Sequence, residues 1–451
     1  MSVFATEAMR RAQNAAAMLD AIRNETPDLV VHILAPQVET LFGAVGARSG
    51  FHDVKGLFLD LGGGSVQMTY MDTSTAKLGV QADGVDYEIA AALAGESMPF
   101  GAARLIRILE ATDATVRLAE TTKLSNSMAE SFSKLRAKFP TLAATAAAAI
   151  PGEQPKGSKK PTGIDVYLCG GGFRGYGSML MHNDPVQPYP ISSIGSYVVP
   201  GKAFVETKEM TKINDTFDGK IPGMSKRRRA QFPAIVTVVE ALIATIPRIR
   251  SVTFCAGGNR EGVLMMKLPR SIRESNPLAC LEVLGTPTTL GSTQEATGTQ
   301  HITDALISAL PKGLAEAGVV TVFGLQLGRI YASRIWDGLG ADSDTNASAA
   351  LHDAVTQNLG CPGLTHLGRA VLGLTLCARW GLSLGAMDQQ LYRSLRALVD
   401  AADSDGMFWA AYIGTVSAVM ATLVTRLPGD GNAIARSVRS VIRSMKLTSQ
   451  C

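Results

Sequence analysis

A carboxylate, three consecutive glycines and a hydroxyl stand together in Asp60-Leu61-Gly62-Gly63-Gly64-Ser65, at the end of the apolar run Leu57-Phe58-Leu59. A side chain at each glycine would block a ligand's approach to the amides and would disfavour the positive φ that such turns often need. Successive N–H groups in a turn of this kind form a concave anion site, and phosphate is its natural guest. Tight hairpins also use glycine, so one such turn alone is a weak signal. The pattern occurs three times, however. Gly170-Gly171-Gly172 follows the apolar run from Ile164, and Gly257-Gly258 follows the run from Ser251. Three apolar strands each ending in glycines favour phosphate binding over a plain turn. Asp60 could hold the metal ion or water that accompanies a phosphate, since hard cations take carboxylate oxygens, or could bond the turn's own amides. Ser65 could donate to a phosphate oxygen or cap the hairpin.

The elements that must position these residues follow from periodicity. Residues 4–24 read as a helix and 28–35 as a buried strand, and Pro36 suits the first turn of a helix running to about Val45. Strands flank the first glycine triplet, and residues 75–82 offer a third. Helical patterns cover 86–111 and 114–149, and the Pro-, Gly- and Lys-rich stretch 151–163 is a solvent loop. A helical run over 230–246 precedes the third strand, and beyond about residue 300 only helical patterns remain. The fold class is therefore α/β followed by an all-α carboxy-terminal domain. Gly406 to Thr425 holds twenty uncharged residues, the length of a membrane span, but contains two glycines and four Ser or Thr residues between amphipathic neighbours. It reads as a buried helix of a bundle, not a span.

Composition narrows the classes. Among 451 residues, 43 basic and 39 acidic side chains give a formal charge of +4, too even a balance for a nucleic-acid binder, so any anion must be held locally. The densest basic cluster, Lys226-Arg227-Arg228-Arg229, reads as a solvated helix start, with a targeting or phosphate patch as the sharper alternative. Six widely spaced cysteines without a C-x-x-C pair point to reduced thiols inside a cell and a cytoplasmic setting, not to a disulfide scaffold or zinc site. The amphipathic amino terminus carries acids as well as arginines and resembles no secretory signal. His352-Asp353 reads as surface, and His366 as structural.

Asp60 to Ser65 resembles the second phosphate loop of the actin, sugar-kinase and heat-shock ATPase superfamily, whose domains are ribonuclease-H-like. Upstream, residues 33–46 are similar to the signature preceding that loop in the exopolyphosphatase and guanosine pentaphosphate phosphohydrolase (Ppx/GppA) family. There Glu39 occupies the second Glu of a Glu-Glu pair, which the family uses to activate water, and Val38 stands in place of the first. Residues 5–15 resemble the family helix whose arginine, here Arg10, faces the phosphate site. Met98 to Leu105 and Asn259 to Gly262 resemble further family segments. Gly170 to Arg174 stands where the family has Gly-Gly-Thr, so Gly172 replaces the Thr. Residues 169–180, 188–201 and 376–381 are similar to a fungal retrograde-regulation subgroup of the family.

The resemblance implies an actin-like, ribonuclease-H-like architecture with an incomplete amino-terminal lobe. Residues 1–50 would be a remnant of the first lobe, 51–270 the second, 271–300 a connector and 301–451 the helical domain. No segment before the opening helix resembles the family's Asp-x-Gly-Ser first phosphate loop, so the chain is expected either to be shortened or to have given that loop up. Glu39 would act as general base, with Arg10, Asp60 and a Mg²⁺ ion on Asp60 offsetting charge. Gly62, Gly63, Gly64, Ser65, Gly170, Gly171 and Gly172 would bind phosphate. The implied ligand is polyphosphate or a guanine or adenine nucleotide. Two functions follow: a mitochondria-to-nucleus signalling regulator that binds this ligand and a regulatory protein partner, or a Mg²⁺-dependent phosphoanhydride hydrolase. The regulator is the expectation taken forward.

Overall fold

The computed structural model describes residues 2–74, 86–110, 113–149, 162–279, 293–311, 319–338, 341–356 and 363–424. The third strand expected at 75–82 and most of the loop expected at 151–163 lie outside them. The chain forms two compact units, one of residues 1–183 and 194–275, the other of 184–193 and 276–451.

The first unit opens differently from its periodicity. Residues 2–5 form a strand, β1 (Ser2–Ala5), parallel to β2 (Val30–Ile33), and helix begins only after Thr6 with α1 (Glu7–Arg11) and α2 (Ala15–Glu25). The β-favouring Val3 and Phe4 extend because β2 offers them a ladder, a pairing that lies outside any local window. β2 is also less covered than a buried strand: Val30 is 52% and Ile33 40% exposed, since a two-stranded sheet leaves much of its surface bare.

The main sheet has six strands in the order β5-β4-β3-β6-β8-β7. β3 (Lys55–Leu61) and β4 (Val66–Asp72) form an antiparallel hairpin around the glycine triplet, and β5 (Glu96–Met98) continues the meander. β6 (Ile164–Cys169) and β8 (Ile249–Phe254) run parallel to β3, with β7 (Tyr197–Pro200) antiparallel at the edge. An antiparallel meander joined to parallel strands by crossover helices is the ribonuclease-H-like arrangement expected from the glycine loop.

The helical reading of 86–111 is corrected: α4 (Tyr87–Ala94) and α5 (Ala102–Leu109) are separated by β5. Gly95 approaches Thr40 and Thr69 too closely for a side chain, and Pro99 bars the next segment from continuing a helix. In 114–149, α6 (Ala114–Lys138) and α7 (Pro140–Ala148) part at Phe139, which precedes proline.

α3 (Pro36–Arg48) starts on Pro36 as expected and lays Ala44, Val45 and Ala47 on the sheet face carrying Phe58, Met71, Cys169 and Cys255. α8 (Gly170–His182) lies on the opposite face, where Gly172 meets Leu61. α9 (Gly201–Phe204), α10 (Thr207–Thr216), α11 (Lys226–Ala230) and α12 (Phe232–Thr245) fill the crossover from β7 to β8. α13 (Asn259–Met265) crosses α3 at backbone contact, and α14 (Arg270–Arg273) closes the unit.

The second unit is helical, with α15 (Thr293–Ala309), α16 (Gly328–Arg334), α17 (Ser343–Val355), α18 (His366–Arg379), α19 (Ala386–Ala402) and α20 (Gly406–Leu423). The uncharged stretch is α20, packed on the buried α18 through Gly414 and Ala378. Among the described residues no helix is long and apolar enough to cross a membrane. His352 is exposed and pairs with Asp388 at 2.8 Å, while buried His366 meets the Tyr189 hydroxyl at 2.8 Å.

Candidate functional site

Strand register places the first two glycine turns side by side. Asp60 at the end of β3 pairs with Cys169 at the end of β6, and Leu168 pairs with Phe254 on β8. All three glycine turns therefore leave the same edge of the sheet, where ligands of parallel sheets gather. They do not share one role.

The first turn is a phosphate-loop candidate held from behind. Gly62 N–H donates to Ser65 C=O at 3.0 Å, closing the hairpin. The loop carbonyls accept from the start of α5: Gly62 from Ala102, Gly63 from Ala103 and Arg104, and Gly64 from Gly101, all within 3.1 Å. The turn keeps its shape because its acceptors are taken by a helix start that lacks intrahelical acceptors for those amides. None of Gly62, Gly63 and Gly64 has a positive φ, which corrects the expected reason for them. What demands small residues is close approach: Gly101 lies against the Gly63 backbone, and a Cβ at Gly64 would come within 3.1 Å of the Glu7 carboxylate.

Glu39 sits in the first turn of α3, 5% exposed, facing this loop. Arg10 Nη2 donates to Oε2 at 2.7 Å, and Gln67 Nε2 lies 3.3 Å from Oε1. Gln67 Nε2 also reaches Ser65 Oγ at 2.7 Å and Ser97 Oγ at 3.2 Å, while Arg10 Nη1 is fixed on Leu34 C=O at 2.5 Å. Burial raises the Glu39 carboxyl above its ordinary range; Arg10 pulls the other way, and Glu7 adds to the rise. A carboxylate with an elevated pKa and both oxygens oriented has the form of a general base. The structure thus brings Arg10, Glu39 and Ser65 together.

Gln67 and Glu7 were not singled out by sequence. The available signal for Gln67 was period two: it follows Ser65 by two residues and so shares its face of β4. Asn259 was also missed; its Oδ1 is buried without a hydrogen-bond partner among the described residues, across Gly43 from Asp60.

Asp60 lies on the same face, cross-strand from Gln67, but is folded inward against Gly170. Burial first, then the Glu39 charge, push its carboxyl up to about 6, with Arg174 pulling down. Among the described residues no group of three or more His, Cys, Asp or Glu gathers as a metal cluster. Asp60 and Glu39 line one small cavity with Thr40 and Gln67, and these two carboxyls are the groups there that could hold a cation.

The second turn is the first turn of α8 rather than a loop. Gly170 has φ +84 and abuts Asp60 and the Leu61 backbone, so it needs to be glycine on both counts. Gly171 is open on its Cβ side apart from Arg228. Gly172 packs on the sheet, where a Cβ would lie 2.5 Å from Leu61 Cδ2. The third turn belongs to helix packing: Gly257 presses on Gly46 C=O, Gly46 on Gly258, and Gly262 on Phe42 C=O.

Residues 1–105 match the Ppx/GppA phosphatase family, and residues 288–426 match the RTG2 C-terminal domain. The chain is 28% identical over 434 residues to retrograde regulation protein 2 of Saccharomyces cerevisiae, covering 93% of this chain and 66% of that protein. It therefore spans less than two thirds of the length of this curated relative. Among solved structures, the Ppx/GppA phosphatase of Aquifex aeolicus is 17% identical with a TM-score of 0.37, over 60% of this chain and 75% of that one. An exopolyphosphatase from Cytophaga hutchinsonii is 18% identical with a TM-score of 0.40, over 58% and 73%.

Proposed function

We propose that this chain, which carries a Ppx/GppA phosphatase-family domain ahead of an RTG2 C-terminal domain, is a phosphate-sensing regulator of the retrograde type. It binds a nucleotide or polyphosphate at the edge formed by Gly62 to Ser65 and Glu39, and occupancy biases its hold on a protein partner. The observation that carries this reading is the clasp of Glu39 between Arg10 and Gln67 beside a glycine turn in which the Gly63 and Gly64 amides have no backbone acceptor among the described residues. Two features favour sensing over fast turnover. Val38, where a second carboxylate would stand, carries no charge and is 36% exposed, and Gly172 offers no hydroxyl to the ligand.

The hydrolase reading rests on the raised carboxyl of Glu39. In that case Glu39 accepts the proton of an attacking water, while Arg10 and the loop amides bind the phosphoryl oxygens. A Mg²⁺ ion held by Asp60 would supply charge neutralisation at those oxygens.

Calorimetry and phosphate-release assays with triphosphate and short polyphosphate, on the wild type and Glu39→Gln, separate the two. The regulator binds without measurable turnover; turnover abolished by Glu39→Gln establishes the hydrolase instead, and absence of binding removes both.

A further inference from the structure

The basic cluster Lys226-Arg227-Arg228-Arg229 does not act as one solvated patch. Ser225 caps α11, its Oγ accepting from Arg228 N at 3.2 Å, and so fixes where the helix starts. Arg227 is exposed. Arg229 is occupied by carbonyls, donating to Asn214, Phe217 and Gly219 at 2.5 to 3.2 Å. Arg228 turns towards α8: Nη1 donates to Gly223 C=O at 2.6 Å, its Cδ lies 3.8 Å from where a Gly175 Cβ would be, and Nη2 lies 3.9 Å from the same point on Gly171.

From α8 itself comes Arg174. Its Nε lies 3.3 Å from Gly170 C=O, and its Nη2 is 4.0 Å from where a Gly258 Cβ would be. The two guanidinium groups are near enough that Arg174 adds to the burial that lowers the pKa of Arg228. Neither arginine is in an ion pair among the described residues. Arg174 has the Asp60 carboxyl within electrostatic reach, but among the described residues no acidic group offsets Arg228, so the two like charges repel in partly buried surroundings and a multivalent anion relieves that repulsion. Arginine forks match phosphoryl oxygens in geometry as well as charge. Because Gly170 abuts Asp60 and Leu61, this pair stands next to the Gly62 turn along one sheet edge.

We propose that Arg174 and Arg228 form a second anion subsite beside Gly171, so that the ligand of the Gly62 to Ser65 edge carries at least two phosphoryl groups in series. This rests on the phosphate-binding reading above and narrows it: a lone orthophosphate fills only one position, whereas a nucleoside triphosphate or inorganic oligophosphate reaches both.

The test is calorimetric titration of the full chain with inorganic triphosphate, ATP and orthophosphate, for the wild type, Arg228→Gln, Arg174→Gln and the exposed control Arg227→Gln. The expected result is a loss of about 10-fold or more in triphosphate and ATP affinity for Arg228→Gln and Arg174→Gln, as for removal of a charged hydrogen-bond partner. Arg227→Gln should bind as wild type, and the wild type should bind orthophosphate far more weakly than triphosphate. Ligand-free melting curves check that each variant folds. Should a glutamine variant melt early, Arg228→Lys, which keeps charge but loses the fork, should still weaken triphosphate several-fold. Triphosphate affinity unchanged in both glutamine variants overturns the subsite and leaves the glycine-edge reading intact. No triphosphate binding by the wild type overturns both.

Discussion

Arg10 and Glu39, 29 residues apart in the chain, are joined Nη2 to Oε2 at 2.7 Å, with side chains 18% and 6% exposed. The pair ties α1 to α3 and holds the candidate base in one orientation. Arg10→Ala leaves a buried carboxylate without its counterion. Stability should fall by roughly 1–3 kcal/mol, between the values for exposed and buried pairs. Chemical denaturation checks this, and Glu39→Gln added to Arg10→Ala should recover part of the loss.

Gln67 reaches Glu39, Ser65 and Ser97 with one amide nitrogen. Gln67→Leu keeps the approximate volume but frees one oxygen of Glu39 and the Ser65 hydroxyl. Triphosphate affinity should drop about 10-fold, the scale of one to two oriented hydrogen bonds. A titration showing unchanged affinity would remove Gln67 from the site.

Two glycines that meet where the glycine turn touches the start of α5, Gly63 and Gly101, should behave oppositely. A Cβ on Gly63 meets only Ala103, at 3.6 Å, so Gly63→Ala should fold normally yet lose ligand binding where the methyl crowds the amides. A Cβ on Gly101 runs into the Gly63 backbone, so Gly101→Ala should cost about 1–3 kcal/mol in stability by overpacking. Melting curves and calorimetry on the two variants together distinguish a binding role from a structural one.

Glu88 receives Arg48 Nη1 at 3.4 Å and Arg273 Nη2 at 2.7 Å, and Arg48 also donates to Arg273 C=O. Arg48 and Glu88 side chains are each 2% exposed, and Arg48 lies over the Tyr87 ring at 5.3 Å. Glu88→Gln strands the buried Arg48 and the part-buried Arg273 and should destabilise the fold by about 3–5 kcal/mol. Substitution without loss of stability would mean that water reaches this cluster.

Much of the fold was legible because its signals are local. Apolar runs ending in glycines marked β3, β6 and β8, and Pro36 marked the start of α3. Sustained helical periodicity marked the second unit, and Gly and Ser residues inside the uncharged stretch pointed to a bundle helix, although α20 leaves Phe408 and Tyr412 exposed instead of being buried on all sides. The short strands β1, β5 and β7 were not legible, since three or four residues carry too little pattern and extend only because a neighbour pairs with them.

The sequence by itself determined which residue types could meet a phosphate: an acid in a helix's first turn, a glycine triplet after a strand, and arginines near both. The tertiary structure decided which of them stand together. Sheet order set Ser65, Gln67 and Asp60 on the face that α3 covers, and the crossing of α3 with α13 assigned Gly257 to packing. Leu61 took Gly172, and different carbonyl partners separated Arg228 from Arg229. The reason is physical: helix and strand form follow from nearby residues, whereas a side chain's partner depends on which distant element is packed beside it.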